Sequence, residues 1–335
     1  MYVAQMIVRR VLLMVPILLG VTLVTFLLTQ VIPSDPAVAL AGDTASDEAI
    51  EAIRERLGLD EPIWMQYLNY LGRLLSGDLG TSIYSQRAVA SEIALFLPAT
   101  IELATTGIII ALALGGTLGI LAAVHRGRFP DQFGRLFAIF GASVPVFWLG
   151  LLLVLVFYSV LGWFPGGGRS DNAVPQPERW TGFLLTDSLL QGNLAAFGDG
   201  LMHLALPAIT LGIMGAGSIA RVMRAGMLDV LSQEYIRAAK AKGLGRRRVL
   251  YVHGVRNALL PTITVAGIVY GALLGGAVLT ESIFSWPGLG RYAVDAMFRQ
   301  DFPALMAVVI VIAIAYAIVN LIVDILYTIL NPTLR

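Results

Sequence analysis

The chain of 335 residues contains no cysteine and only three histidines, His125, His203 and His253, which are scattered along the sequence. Without cysteine there can be no disulfide, iron–sulfur cluster or thiolate metal site, and three isolated histidines make no ligand cluster. We therefore expect no metal site on this chain. Charge is also scarce, because only 13% of the residues are charged and the formal net charge is +1. The net charge by itself argues neither for nor against a nucleic-acid partner, and we expect none.

Hydrophobic residues make up 57% of the chain and are concentrated in long apolar runs. A helix that crosses a bilayer needs about 20 apolar residues. Six runs have this length: 11–32, 100–124, 136–161, 201–220, 258–280 and 303–330. Runs this long without strand alternation exclude a β-barrel, and the backbone must satisfy its own hydrogen bonds in hydrocarbon. The sequence therefore predicts an all-α membrane protein with six transmembrane helices.

The first run follows Arg9 and Arg10, so a cleaved signal peptide is an alternative to a transmembrane helix. Its apolar part is longer than the 7–15 residues of a signal-peptide core. We interpret it as a retained first span. Lys and Arg near span ends stay in the cytoplasm during insertion. This rule places Arg126, Arg128 and the cluster from Arg221 to Arg256 inside, which predicts a multi-pass protein of the cell (cytoplasmic, inner) membrane with both termini cytoplasmic.

Two amphipathic helices are predicted in the large extracytoplasmic segment after the first span. One covers 44–58, with a possible cap at Thr44, and the other starts at Pro62 and carries Trp64 and Tyr67. We expect the second to lie at the outer membrane surface or to cap the bundle. Residues 1–99 thus form the first helix and this segment, and residues 100–330 form a five-helix core. Within 162–200 the pattern predicts an outer loop with at most a short helix.

The segment from Leu228 to Pro261, between the fourth and fifth spans, has the most informative pattern in the chain. Glycines 243 and 245 interrupt it, so we expect two short cytoplasmic helices, the second starting near Arg246. Five residues are predicted to line the buried face of the first: Val230, Leu231, Tyr235, Ala238 and Ala239. A basic loop that only fixes topology is one interpretation. Small residues at the corner favour a helix that seats in a partner's groove.

The stretch from Arg237 to Gly243 resembles the EAA loop of ABC importer permeases, the element that docks into ATPase subunits. Arg237 stands where the family's general pattern has Glu, and the distance from Gly243 to Pro261 is longer than in sugar permeases. In both features the loop resembles that of the peptide/nickel branch of the family. Further motifs of the B-type dipeptide/oligopeptide permease subunit occur in order along the chain: Ile32–Pro36, Leu57–Asp60, Gly77–Gly80, Leu97–Thr100, Pro145–Trp148, Glu234–Tyr235, Arg256–Ala258, Glu281–Gly290 and Asn331–Pro332.

This resemblance implies a type I ABC importer permease fold and one half of a heterodimeric translocation pathway for dipeptides or oligopeptides. It implies as partners a second homologous permease, two ABC ATPase subunits, an extracytoplasmic peptide-binding protein and the lipid bilayer. ATP-Mg would lie on the partner subunits, with no cofactor on this chain. The coupling loop, 225–257, would act through these residues: Glu234, Tyr235, Arg237, Ala238, Ala239, Lys242, Gly243, Arg256 and Asn257.

Three alternatives to a peptide permease are an ATP-hydrolysing enzyme, an ion-coupled transporter and a permease for another solute. The chain has no G-x-x-x-x-G-K-[ST] loop, so it is not expected to be an enzyme that hydrolyses ATP itself. An ion-coupled secondary transporter needs ionisable groups near the membrane midplane, whereas Glu102 and Asp324 are predicted near span ends. A same-fold permease for nickel, glutathione or opine-like solutes stays open, because the resemblance does not separate these substrates.

Two further sets of residues are candidates for the pathway. Gly267, Gly271 and Gly275 recur four apart in the fifth span, either for packing inside the subunit or for lining the pathway beside the partner permease. An outer gate is predicted from Phe284, Trp286, Pro287 and Gly288, with Tyr292 and Met297 on a short helix after them. The alternative for these aromatic residues is anchoring at the membrane interface.

Overall fold

The computed structural model describes residues 2–31, 38, 46–58 and 60–330. Their helices are α1 (Tyr2–Val31), α2 (Asp47–Leu57), α3 (Ile63–Leu75), α4 (Val89–Val124), α5 (Phe129–Ser143), α6 (Val146–Leu153), α7 (Leu184–Leu190), α8 (Leu194–Ser232), α9 (Glu234–Ala241), α10 (Arg246–Arg248), α11 (Arg256–Gly276), α12 (Val278–Ile283), α13 (Leu289–Phe298) and α14 (Phe302–Leu330). Two π-helical segments, Val154–Val160 and Val249–Val255, extend α6 and join α10 to α11. Over these described ranges the only β-type pairing is an isolated bridge between Thr81 and Ala88.

Five of the helical stretches are long and apolar enough to cross a membrane. They are Ile7–Leu28, Val89–Val124, Leu194–Ser232, Arg246–Gly275 and Phe302–Ile329. A sixth candidate is the pair Phe129–Ser143 and Val146–Val160, whose two parts meet at an angle of 105°. The predicted all-α membrane architecture is confirmed, with each span reaching beyond or close to the ends predicted from its apolar run.

The third predicted span, 136–161, is not one straight helix. Val144 has an extended backbone with ψ of 128°, and Pro145 with ψ of 136° precedes the first residue of α6. Proline lacks the N–H group of a continuing helix and forces the residue before it out of the helical region. The apolar run predicted the span correctly by composition, but a single proline divides it into two helices.

The chain divides into two compact units, each with its own packing. One contains residues 1–7, 97–291 and 315–335, and the other contains residues 8–96 and 292–314. In the second unit, α3 packs on α1, since the rings of Tyr67 and Phe26 are 5.4 Å apart and the hydroxyls of Tyr67 and Thr22 are 3.0 Å apart. The second predicted amphipathic helix therefore covers part of the first span, while its Trp64 stays exposed.

The first predicted amphipathic helix is observed as α2. Its proposed cap at Thr44 lies outside the described residues, as do the motifs Ile32–Pro36 and Asn331–Pro332. The segment 162–200, predicted as an outer loop with at most a short helix, contains the short α7, but α8 begins at Leu194 within the predicted bounds. The predicted loop therefore extended too far at its end.

Glycines allow α4 and α8 to pack closely in the first unit. A Cβ atom at Gly115 would lie 2.9 Å from the Cβ of Ile219, and one at Gly119 would lie 2.7 Å from the Cβ of Met223. Both distances are too short for real carbon atoms, so larger residues cannot occupy these two positions without moving α8. The close approach fixes the helix that leads directly into the predicted coupling loop.

Candidate functional site

The helix of the predicted coupling loop, α9, is separate from the long α8. The chain turns at Gln233, which has ψ of 150° and precedes the first residue of α9. Because this turn resets the helical phase, two residues predicted to be buried, Tyr235 and Ala238, are exposed. The prediction of the buried face was wrong at these positions, since it assumed that one helix continued through Gln233.

Ile236 and Ala239 anchor α9 to the rest of the first unit. Ile236 is fully buried, although the sequence did not single it out, and Ala239 is 8% exposed. Both belong to an apolar cluster with Met227 of α8, Val249 of the second π-helical segment and Ala258 of α11. The cluster attaches α9 to both flanking spans.

Gly243 ends α9 in the arrangement predicted for a glycine corner. Its φ is +79°, and its N–H donates to the carbonyl of Lys240 at 3.0 Å. The N–H of Leu244 donates to the carbonyl of Ala239 at 3.2 Å. These are the two hydrogen bonds of a Schellman motif, in which glycine takes the left-handed position without strain. The corner holds α9 at a fixed angle to the following helix.

A hydrogen bond between side chains closes the loop on its open side. The amide nitrogen of Asn257 donates to the hydroxyl of Tyr235 at 2.9 Å and lies 3.0 Å from the carbonyl of His253. Two residues that were predicted in the coupling loop from separate motifs are therefore in contact. The first turn of α9 is linked to the first turn of α11.

The outer face of α9 is uncovered and carries small or charged side chains. Glu234, Arg237, Ala238 and Ala241 recur at helical spacing on this face and are exposed. No atom lies within 4 Å of a Cβ placed at Gly243. Lys242 and Arg256, which complete the predicted coupling residues, are exposed as well. Another protein can thus approach the backbone of α9 closely.

A buried carboxylate near this loop was not predicted. Asp131 of α5 is fully buried and accepts hydrogen bonds from Arg224 Nε at 2.7 Å and Arg135 Nη2 at 2.6 Å. The N–H of Gly127 donates to it at 2.8 Å. The four-residue spacing of Asp131 and Arg135 was a signal for the first pair. Arg224 of α8 could not be assigned without the fold.

The predicted gate residues lie inside the first unit. Phe284 and Trp286 are each 1% exposed, and the indole N–H of Trp286 donates to the carbonyl of Ala99 at 2.9 Å. Gly288 is buried and Pro287 is partly buried. The side chains of these two aromatic residues therefore pack against the chain itself, and a gating role for them stays a prediction.

Glu281 organises the turn that carries these residues. Its fully buried carboxylate accepts hydrogen bonds from the hydroxyl of Thr100 at 2.7 Å and the N–H of Arg291 at 2.9 Å. Side chains at Gly288 or Gly290 would collide with it. The sequence motif contained Glu281 but gave no reason to expect it in the centre of the turn.

In the second unit, Tyr292 of α13 stacks on Phe96 at 4.9 Å and hydrogen-bonds to Glu92. Met297 on the same helix is 55% exposed. Of the two residues predicted on the short helix after the gate, only Met297 thus has a largely free side chain.

Gly267 and Gly271 of the fifth span contact α14. A Cβ at Gly267 would overlap Val323, and one at Gly271 would overlap Tyr316, while Gly275 lies one turn further along. These contacts correspond to packing inside the subunit. A role for the three glycines beside a partner permease stays a prediction.

Glu102, which was considered for ion coupling, is held in an ion pair. Its carboxylate lies 2.6 Å from Arg169 Nη2 and accepts the N–H of Leu185 at 2.9 Å. Glu102 was predicted near the end of a span, but it lies well inside α4 (Val89–Val124), because this helix begins before the apolar run. Its ion pair and hydrogen bond are those of a structural group.

The chain matches the models of a known protein family. Residues 115–335 match the model of the binding-protein-dependent transport system inner membrane component. Residues 3–104 match the N-terminal model of the binding-protein-dependent transport system membrane component. Together these matches cover nearly the whole chain.

Similar curated proteins match over almost their full lengths. The chain is 47% identical to a probable D,D-dipeptide transport system permease protein, DdpB of Escherichia coli K12, covering 95% of this chain and 94% of that protein. It is 43% identical to the di/tripeptide transport system permease protein DppB of Pseudomonas aeruginosa UCBPP-PA14, over 98% and 97% of the two chains. It is 38% identical to the glutathione transport system permease protein GsiC of Escherichia coli O6:H1, over 98% of each.

A solved structure has the same fold. A chain of the inward-facing methionine ABC transporter MetNI aligns with a TM-score of 0.51 and 15% sequence identity. The alignment covers 70% of this chain and 93% of the other.

Proposed function

The chain belongs to the family of binding-protein-dependent transport system inner membrane components, and on that premise we propose that it is a permease subunit of an ATP-driven ABC importer for dipeptides or oligopeptides. It forms one half of the translocation pathway. A second, homologous permease forms the other half, two ATPase subunits bind ATP-Mg, and an extracytoplasmic binding protein delivers the peptide. This chain itself carries out no covalent chemistry.

One observation carries the proposal: α9 is rigidly attached to two spans and leaves its outer face uncovered. Ile236 anchors the helix, Gly243 fixes its end, and Ala238 lies on the open face. A helix of this kind is suited to a groove on a partner protein. Movement of the partner is then transmitted to α8 and α11 through the apolar cluster.

The mechanism follows from a bundle with two states. ATP brings the ATPase subunits together, the loop 225–257 moves with them, and the bundle opens outward to accept the peptide. Hydrolysis returns it to the inward state. Nucleotide drives this cycle because its affinity differs between the two states, which is the requirement for any shift in population.

We place α9 and both termini in the cytoplasm, where Lys and Arg near span ends are retained. Seven cations between Arg237 and Arg256 support this orientation, since the same stretch contains no acidic residue. The segment with α2 and α3 is then extracytoplasmic.

Glutathione is the second candidate substrate, because the chain is also 38% identical to a glutathione permease. The greater identity to dipeptide permeases, 47% and 43%, favours peptides. Nickel and opine-like solutes are further alternatives within the same fold.

The test is uptake of a radiolabelled dipeptide by cells that express the whole transport system, with or without this chain. We expect uptake only with the chain, competition by unlabelled di- and tripeptides, and weak competition by glutathione or nickel. Uptake must persist when a protonophore removes the proton gradient while ATP is maintained. Competition by glutathione alone would reassign the substrate, and loss of uptake with the proton gradient alone would contradict ATP coupling.

A further inference from the structure

The helix α3 packs on a part of α1 that lies at membrane depth. The hydroxyl of Tyr67 lies 3.0 Å from that of Thr22 and donates to the carbonyl of Leu19 at 3.2 Å. The ring of Tyr67 also lies 5.4 Å from that of Phe26. All three α1 residues belong to the apolar stretch Ile7–Leu28, which is long enough to cross a membrane. The helix α3 therefore lies beside this span and not beyond its end.

The depth of the contact follows from the positions of its residues along α1. Phe26 is two residues before Leu28, the end of the apolar stretch, and Leu19 is nine residues before it. At about 1.5 Å per residue, these positions lie about 3 and 13 Å below that end. One half of a hydrocarbon core of about 30 Å is about 15 Å thick. The contact therefore lies within one leaflet, which is the outer leaflet in the orientation proposed above.

The apolar side of α3 is only partly covered by α1. Trp64, Leu68 and Leu75 are 59%, 53% and 87% exposed. At about 100° per residue, these three side chains fall within about 40° of one another, and their centre is about 80° from Tyr67. We call these three residues the uncovered stripe. The stripe continues the apolar side of the helix around from its contact with α1.

The polar residues of α3 lie on the other side of the helix. Asn69 and Arg73 are both exposed, and their centre is about 140° from that of the uncovered stripe. The amide of Asn69 donates to the carboxylate of Glu61 at 2.7 Å. A helix with one apolar and one charged side is typical of the membrane interface, where the apolar side sinks below the headgroups. Tryptophan is also enriched at this level.

We propose that α3 is inserted in the outer leaflet beside α1, with the uncovered stripe among lipid acyl chains and Arg73 among the headgroups. The sequence left open a helix on the membrane surface or a cap over the bundle. Contact with α1 as deep as Leu19 excludes a cap beyond the end of the span. At this depth an uncovered aliphatic side chain meets acyl chains, as the exposed Val24 of α1 does. The proposal requires only that α1 crosses the bilayer, so it and the proposed transport function fail separately.

The test is spin labelling of the full chain, which has no native cysteine. Leu68→Cys carries a nitroxide on the uncovered stripe, and Arg73→Cys carries one on the polar side of the same helix. Val24→Cys, at a position 57% exposed on α1, is the reference for a side chain among acyl chains. Each variant is assembled with cysteine-free partner subunits in phosphatidylcholine bilayers, so that the second permease occupies its place. Power saturation measures collisions of the nitroxide with oxygen, which dissolves in lipid, and with chromium oxalate, a water-soluble anion.

We expect the nitroxide at Leu68→Cys to resemble that at Val24→Cys, with high access to oxygen. Its access to chromium oxalate should be at least about fivefold lower than at Arg73→Cys, because a charged reagent loses its hydration in hydrocarbon. Equal access to chromium oxalate at the two positions of α3 would place the uncovered stripe in water and overturn the proposal. Low access to both reagents at Leu68→Cys would also overturn it, and would assign the stripe to a second protein.

Discussion

The side-chain amide of Asn257 donates a hydrogen bond of 2.9 Å to the hydroxyl of Tyr235. The two residues are 22 positions apart and lie on the two arms of the loop, on α11 and α9. This bond and the buried Ile236 attach α9 on two sides. We therefore expect a displacement of α9 to be transmitted directly to the fifth span.

Removing this hydrogen bond should weaken the coupling of ATP hydrolysis to uptake. Tyr235→Phe loses about 0.5–1.5 kcal/mol of loop stability, towards the lower limit because both groups are exposed. We expect lower uptake per ATP hydrolysed, with normal assembly, and no additional loss in Tyr235→Phe/Asn257→Ala. Tyr251→Phe is the matched control, since that exposed hydroxyl has no hydrogen bond in the described part of the chain. An equal decrease in the control would contradict a role for the bond.

A bulky residue on the open face of α9 should block the partner. Ala238→Trp adds a large side chain at an exposed helical position, so the fold of the chain should be unchanged. We expect ATP-driven uptake to fall at least tenfold, which corresponds to about 1.4 kcal/mol of lost docking energy. Ala238→Ser should retain activity. Normal uptake by the tryptophan variant at normal expression would show that no partner protein docks on this face of α9.

Gly243 requires a different substitution series, because its φ of +79° disfavours most side chains even where space is free. Gly243→Asn should retain more uptake than Gly243→Val, since asparagine tolerates the left-handed conformation and a β-branched residue does not. The thermal stability of both variants in detergent separates backbone strain from obstructed docking. Equal uptake by the two variants would contradict the importance of the corner.

The orientation predicts which introduced cysteines a membrane-impermeant thiol reagent can reach. Asp47→Cys should be labelled from outside in cells with a permeabilised outer envelope and an intact inner membrane. Arg247→Cys should be labelled only after that membrane is opened. The native chain contributes no background because it has no cysteine. Labelling of Arg247→Cys in the intact cells would reverse the orientation.

Trp286 tests whether the buried turn acts as a gate. Trp286→Ala should destabilise the chain by about 3–5 kcal/mol because the side chain is fully buried. Trp286→Phe is more informative, since it keeps most of the apolar volume and removes the hydrogen bond to Ala99. If the turn gates the pathway, this variant changes how the ATPase rate responds to loaded binding protein. An unchanged response would leave a packing role.

The buried Asp187, which lies outside the spans, should make the stability of the chain sensitive to acid. Asp187 is 2% exposed. Burial alone raises the pKa of its carboxyl group, but hydrogen bonds from Thr181 and Gly182 outweigh burial and hold this pKa below its usual range. A lowered folded pKa contributes stability above the unfolded pKa, and this contribution is lost as pH falls through the folded value. Asp187→Asn should cost about 1–3 kcal/mol at pH 7 and less at pH 3. Thermal unfolding in detergent measures this, with exposed Asp229→Asn as control; a pH-independent difference would contradict it.

The sequence predicted the spans and the glycine corner because both depend on local composition. Apolar runs identify membrane-spanning helices, and Gly243 marks a helix end, whatever the rest of the fold does. The EAA-like motif then indicated the function of the loop. The bend at Pro145 was missed because the apolar run continues on both sides of it.

Contacts between side chains that are far apart along the chain could not be predicted from the sequence. Arg224 meets Asp131 across 93 positions, and Thr100 meets Glu281 across 181. No local period relates such residues. The buried face of α9 was predicted in part only, since the turn at Gln233 changes which residues point inward. Contacts of this kind depend on how the helices pack.

Site-specific cross-linking tests the central claim most directly, since the claim is that the open face of α9 meets an ATPase subunit. Ala238→Cys is the only cysteine of the variant chain and would be expressed with the complete transport system. Trp180→Cys, exposed in the loop before the other end of α8, serves as control. We predict that a short cross-linker joins an ATPase subunit to Ala238→Cys, less so when ATP is absent, and never to Trp180→Cys. No ATPase cross-link at Ala238→Cys in a complex that transports peptide would contradict the account.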